Sequence, residues 1–414
     1  MPAPAADRRD GRLGVARLGA RLFGALLVMA AAACATPERL PAVPVGLTAQ
    51  AQTVVPNARY FPTRDDAAFK QEALQSFERE KAWLAQSGQA GKPLPPVAFL
   101  AVSGGGDDGA FGAGLLVGWT ERGDRPEFKG VTGVSTGALI APFAFLGPKY
   151  DHVLKETYTD VSQKDIFTKR FFTAALFSDA MASTAPMHKL IDRYVNRALL
   201  DEIAAEYAKG RLLMIGTTDL DSREPVVWNM TAIAASKDPG ALKLFQRIMV
   251  ASASIPGAFP PVMIDVTADG KRYQEMHVDG GATRQVFLYP PAFNLGQFSK
   301  EERAARTRNL YIIRNARLDP EWASVDRRTL SIADRAVSSL IATQGIGDLD
   351  RIYLTARRDG LDYNLAYIPR QFDVPHVKQF DTHYMRALFD YGHAMAVAGF
   401  PWAKYPPDYG PPPG

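Results

Sequence analysis

Hydrophobic residues first gather in a continuous run, Leu22–Ala33, which follows an arginine-rich start. The run is too short to cross a bilayer, which takes ~20 apolar residues. From Ala35 to Pro62 the chain is Pro, Ala and small polar residues, the composition of a tether. Thr63 then stands where a helix cap belongs. Asp65 and Asp66 suit the positive end of a helix dipole, and Phe69, Leu74, Phe77, Trp83 and Leu84 recur at helical spacing up to Gly88. A Gly/Pro linker, Ser87–Pro96, follows.

The pattern changes at Val97–Val102, a short continuous apolar run that predicts a strand buried on both faces. It leads into Ser103–Gly109, a glycine loop, and then into a helical pattern over Ala110–Trp119. A second unit of the same kind follows: the apolar run Phe128–Val134, a turn at Ser135, and the run Ala138–Leu146. Two strand–turn–helix units in succession predict an α/β fold with a largely parallel sheet. Tyr150–Arg197 reads as mostly helical, with Phe167, Phe171, Phe172, Leu176 and Phe177 as core or cover. Strands are expected at Arg211–Leu220, Pro225–Met230, Arg272–Val278 and Leu310–Arg314, the last clear strand. Helices are expected at Leu242–Ala251, Thr329–Arg358 and Asp381–Ala398, with a Pro/Tyr-rich loop from Pro401 to Gly414.

Composition adds little to this outline: 47% hydrophobic and 22% charged residues are ordinary for a globular chain of 414 residues. The net charge of +4 is misleading, because the first 33 residues carry five arginines and two aspartates. Nothing remains that resembles a nucleic-acid footprint. The basic start, the apolar run and Ala31-Ala32-Ala33-Cys34 have the parts of a secretory signal, and the last four residues resemble a bacterial lipobox. Cys34 is the only cysteine, so no disulfide can form within the chain, and lipidation at Cys34 is the reading adopted. The expected organisation is a signal peptide at 1–33, a tether plus helix at 34–95, a catalytic domain at 96–315 and a helical C-terminal extension at 316–414. The expected place is the cell envelope, anchored to a bacterial membrane on the periplasmic side of the outer membrane. A periplasmic or secreted protein is the alternative.

The candidate chemistry lies in three loops. Gly133-Val134-Ser135-Thr136-Gly137 puts a serine on a sharp strand-to-helix turn, where Gly133 and Gly137 let the two elements approach. Gly104-Gly105-Gly106-Asp107-Asp108-Gly109 fits a dinucleotide fingerprint in its glycine spacing, but two carboxylates would repel a diphosphate. An oxyanion hole made by Gly104, Gly105 and Gly106 is the better reading, so no nucleotide and no cofactor is expected. Asp279-Gly280-Gly281 follows a strand and offers a carboxylate as general base. His383 or His393 could complete a Ser…Asp…His order, yet both fall within a helix. His277 shares a face with Asp279 and reads as packed there.

Together with Ala251–Val262, these blocks resemble the patatin-like phospholipase family in order and context. The resemblance implies a three-layer α/β/α fold and a metal-free Ser–Asp dyad that hydrolyses lipid acyl esters. Ser135 would be the nucleophile, Asp279 the base and Gly104–Gly106 the oxyanion hole. Members usually carry a basic residue where this chain has Asp108, which bears on head-group preference. A neutral-lipid esterase, a thioesterase, or a lipid-binding lipoprotein without turnover are the alternatives.

Overall fold

The computed structural model describes residues 38–169 and 180–410. The expected signal peptide, Cys34, the aromatic positions 171, 172 and 177, Leu176 and the end of the tail lie outside the described residues. The strands of the main sheet are β1 (Arg59–Tyr60), β2 (Val97–Val102), β3 (Phe128–Val134), β4 (Leu212–Asp219), β5 (Glu224–Asn229), β6 (Val262–Ala268), β7 (Lys271–Asp279), β8 (Arg308–Arg314) and β9 (Asp362–Tyr367). The helices that position the site are α1 (Asp66–Gln86), α2 (Gly109–Arg122), α3 (Thr136–Leu146), α4 (Asp151–Thr159), α5 (Ala241–Ser252), α6 (Thr329–Asp359) and α7 (Thr382–Gly399).

The sheet order is β1-β5-β4-β3-β2-β8-β9, with the β6–β7 hairpin attached to β4 through β7. Strands β4, β3, β2, β8 and β9 run parallel, and β1, β5, β6 and β7 are joined by antiparallel pairing. Side chains alternate across this sheet and so define two cores. Leu100, Val102, Val131, Leu213 and Ile313 pack on one face with Phe111 and Leu115 of α2, Ile140 of α3, Ile248 of α5 and Leu388 of α7. Ala101, Leu310, Ile312 and Leu365 pack on the other face with Leu349, Ile352 and Ala356 of α6. Met214 and Val227 meet Phe69 and Phe77 of α1 on that second face. The chain therefore has the three-layer α/β/α arrangement that the resemblance implied.

Four expectations need correction. The strand Leu310–Arg314 is not the last: β9 follows and pairs in parallel with β8 along its whole length. Its polar Asp362 and Asn364 hide it from a hydrophobicity pattern, and only the sheet edge specifies it. The hairpin strand β6 alternates inward and outward residues and turns through Asp269 and Gly270, both with positive φ. Its pattern was masked by the prolines just before it. Helix α1 begins after Asp65, not Thr63: the Asp65 carboxylate accepts the Phe61 N–H at 2.8 Å, while the Thr63 hydroxyl donates to Glu224 at 2.7 Å. Tyr150–Arg197 is helical in part, but Thr168–Lys169 pairs with Ala182–Ser183 as a short antiparallel ladder.

Helix α7 belongs to the first core layer. It crosses α2 so closely that a Cβ at Gly114 would lie 2.8 Å from the Phe389 carbonyl carbon. Tyr384, Met385, Leu388 and Phe389 are all buried in the main core.

Candidate active site

One strand carries both loops that matter. Gly216 of β4 pairs with Val134, the residue before Ser135, and the next residue, Thr217, pairs with Asp279. Strand β5 occupies the opposite edge of β4. So β7 takes the place on β4 that β3 vacates, and the ends of β3 and β7 meet. That register is why a serine and an aspartate 144 positions apart become neighbours.

Ser135 stands at the turn with φ 55° and ψ −126°. A residue with a Cβ is strained there, by about 1–3 kcal/mol. The surroundings hold it. The Ser135 N–H donates to Ser252 Oγ at 3.0 Å, and Ser252 Oγ donates to the Gly216 carbonyl at 2.6 Å. A Cβ on Gly133 would lie 2.7 Å from the Gly137 carbonyl carbon, and one on Gly137 would lie 2.7 Å from the Ser103 carbonyl oxygen. Both glycines are therefore demanded by backbone contact across the turn.

Asp279 is 5% exposed. Its N–H donates to the Ser254 carbonyl at 2.8 Å, and its Oδ1 accepts the Gly281 N–H at 2.7 Å. Its Oδ2 is buried without a hydrogen bond of ordinary geometry. The Ser135 hydroxyl is the side chain beside this carboxyl, and no cation contributes there. Burial pushes the carboxyl up to about 7, against the opposing pull of Ser135 and the Gly281 N–H. Ser252 and Ser254, within the block Ala251–Val262, thus anchor the serine and the aspartate respectively.

The glycine loop is held from behind. Asn315, at the end of β8, donates to the Ser103 carbonyl at 3.0 Å and accepts the Gly112 N–H at 3.1 Å. The Gly104 N–H donates to the Gln285 carbonyl at 3.0 Å. This corrects the expectation that all three glycines are open donors. Among the described residues, the N–H groups of Gly105 and Gly106 are the ones in that run without an acceptor. Gln285 also joins the loops through its side chain: Nε2 donates to the Gly281 carbonyl at 2.9 Å, and Oε1 accepts from Arg314 at 3.4 Å. Gly280, between Asp279 and Gly281, backs onto the Gly216 carbonyl.

Asp107 and Asp108 do not face solvent as a free acidic pair. Asp107 Oδ2 accepts from His376 Nε2 at 2.7 Å and from the Phe380 N–H at 2.6 Å. Asp108 Oδ1 accepts the Tyr384 hydroxyl at 2.6 Å. Burial pushes Asp108 up to about 7, with Tyr384 opposing. Gly109 then opens α2. The pair fastens the glycine loop to the segment that leads into α7, a role no motif signalled.

The histidines lie elsewhere. His277 is fully buried but faces Thr217 at 3.0 Å and Glu275 at 3.2 Å, and Trp228 donates to Thr217 at 2.8 Å. Glu275 in turn pairs with Arg59 at 2.9 Å through Oε1. His383 is exposed at the start of α7, and His393 bonds Glu121 at 2.9 Å. Among the described residues, no group of three or more His, Cys, Asp or Glu side chains is placed to hold a metal ion. An apolar cleft on the α6 side is lined by Val134, Gly216, Gly280, Phe287 and Ile352, neighbours of Ser135 and Asp279 rather than those residues themselves.

No curated protein matches the chain. Among solved structures it is similar to VipD from Legionella pneumophila, at 11% identity over 73% of this chain and 66% of that one, with a TM-score of 0.30. Full-length ExoU of the type III secretion system of Pseudomonas aeruginosa, in complex with SpcU, is 12% identical over 74% and 52%, with a TM-score of 0.29. Human GIVD cytosolic phospholipase A2 is 11% identical over 76% and 55%, also at 0.29. The chain thus spans between 52% and 66% of the length of these structures. Residues 100–291, which hold the glycine loop, Ser135 and Asp279, match the family model described as patatin-like phospholipase.

Proposed function

We propose that the chain is a serine acyl hydrolase of lipid esters, of phospholipase A type, working through Ser135 and Asp279. The observation that carries this reading is a buried carboxylate, unpaired with any cation, beside a serine on a strained strand-to-helix turn. A base poised near neutral pH suits proton transfer in water. The match of residues 100–291 supports a lipid substrate.

In the proposed reaction, Asp279 takes the proton of Ser135 as Oγ attacks the ester carbonyl. The Gly105 and Gly106 N–H groups receive the developing oxyanion, where one such donor is typically worth about 10²–10³ in rate. The start of α3 adds the positive end of its dipole. The alcohol or lysolipid leaves, and water activated by Asp279 cleaves the acyl-enzyme. An acidic Asp107–Asp108 pair beside the glycine loop would favour a binding protein without turnover, but both carboxylates are hydrogen-bonded, to His376, Phe380 and Tyr384.

A fluorophosphonate probe tests this directly. It should label wild type at Ser135 and should fail to label Ser135→Ala. Asp279→Asn should lose nearly all esterase activity while staying folded. Activity kept by Asp279→Asn and lost with His383→Ala would overturn the dyad. Attachment of lipid at Cys34, and with it a place on the bacterial envelope, is proposed on sequence alone. Mass measurement of the mature N-terminal peptide tests it. Among the described residues no helix is long and apolar enough to cross a membrane.

A further inference from the structure

Helix α6 has two halves of different character. In the second half Leu349, Ile352 and Ala356 are buried under the sheet. In the first half the apolar residues face outward: Ile332 is 54% exposed, Val337 54%, Leu340 69% and Ile341 36%. With Ala333 and Ala336, they fall at i, i+1, i+4, i+5, i+8 and i+9, which covers about half the helix circumference at 100° per residue. Ser331, Arg335, Ser338 and Ser339 occupy the other half. From Ala336 to Gly347 the sequence holds no charged residue. Ser338 and Ser339 are exposed as well, so this half of the helix stands clear of the core with an apolar side open to its surroundings.

What borders the face points to its occupant. Trp322 is 90% exposed and Val325 40%. The Arg335 guanidinium, on the polar side, donates to the Glu321 carbonyl and so ties the Trp322 loop to the helix. The Glu321 carboxylate is neutralised by Arg317 at 3.1 Å. Arg327 and Arg328 are exposed at the helix start with no ion pair among the described residues, and Asp326 is their one adjacent acid. An apolar half-cylinder with an aromatic and two open cations at its end complements an anionic interface: acyl chains below, head groups at the rim. The same helix is linked to the site by a chain of contacts. Gly345 packs on the Arg314 guanidinium, Arg314 reaches Gln285, and Gln285 holds Gly104.

We propose that the first half of α6, with Trp322, lies in the plane of an anionic lipid surface and seats the Ser135 site against it. The choice of a lipid over a protein occupant rests in part on the lipid-hydrolase reading, so the test is made without catalysis.

Full-length Ser135→Ala protein, with Cys34→Ser to remove both the proposed lipid attachment point and the thiol, would carry Leu340→Cys labelled with an environment-sensitive nitrobenzoxadiazole. Vesicles of phosphatidylcholine with phosphatidylglycerol should shift its emission to the blue, and a quencher embedded in the acyl chains should quench it. The same label at Ser338→Cys, on the polar side, should respond much less. Removing phosphatidylglycerol should weaken vesicle binding. Val337→Ser, Leu340→Ser and Ile341→Ser combined should weaken it by at least about tenfold, from the apolar area lost. Vesicle-bound protein whose Leu340→Cys label stays in water would overturn the proposal, as would absence of vesicle binding. A blue shift that grows with protein concentration without lipid would assign the face to a second copy and also overturn it. An absence of turnover in the wild type would sink the hydrolase reading and leave this result standing.

Discussion

Replacing Asp279 with asparagine removes a charge that burial disfavours, so the predicted effect on stability is opposite to that on activity. In the folded chain the carboxyl ionises at about 7, against 3.8 when it is free in water. Between those values the unfolded chain releases the proton and the folded chain keeps it. Stability therefore falls as pH rises through this window, by about 1.4 kcal/mol per pH unit, and the loss is complete above about pH 7. The whole effect is about 4 kcal/mol, of which about 3 kcal/mol accumulates between pH 5 and pH 8. Asparagine does not titrate, and its Oδ1 can still accept the Gly281 N–H. The stability of Asp279→Asn relative to wild type should therefore rise by about 3 kcal/mol from pH 5 to pH 8. All groups shared by the two proteins cancel in that difference. Urea denaturation at both pH values measures it, and the melting difference should widen by about 3 °C for a chain of this length. A difference that stays constant across the range would mean that Asp279 is ionised in the folded protein even at acid pH. The argument for a base tuned by burial would then fail.

The same value fixes the rate profile: the base must be ionised, so hydrolysis of a soluble ester should climb tenfold per pH unit below about pH 7 and level off above it, and a flat profile from pH 5 to 8 would exclude Asp279 as the base. Tyr384→Phe strips a donor from Asp108 and should cost about 1–3 kcal/mol, more at pH 8 than at pH 5 because the lost bond favoured the charged form. Denaturation at the two pH values checks it. Glu275→Gln leaves Arg59 buried without its counter-charge and should cost about 3–5 kcal/mol, read by the same method. Gly137→Ala drives a methyl into two backbone carbonyls and should leave little soluble protein, whereas Gly106→Ala, with open space but φ +60°, should cost about 1 kcal/mol. Equal yields and equal stabilities for the two alanine variants would contradict the close packing of the turn.

The strand–turn–helix units, the serine turn, the glycine loop and Asp279 could all be read along the chain, because each is a local pattern: an apolar run, then residues with unusual backbone freedom. The glycines of the serine turn are legible for the same reason, since their need arises within five residues. What pairing decides is not local. Strand β9 carries polar residues and exists because β8 offers an edge. Gln285 and Asn315 have no motif, and their importance comes from meeting Gly281, Gly104 and Ser103 across the fold. Asp107 and Asp108 take their place in the packing only from His376 and Tyr384, which lie 269 and 276 positions away. The sequence by itself determined the α/β alternation and set a serine, a run of glycines and an aspartate in loops that follow strands. Only the tertiary structure decided that β4 would hold Ser135 and Asp279 side by side, that Gly104 would spend its N–H on Gln285, and that the aspartate would be dry enough to ionise near 7. Burial and hydrogen-bond partners are properties of the packed chain, and no residue carries them alone.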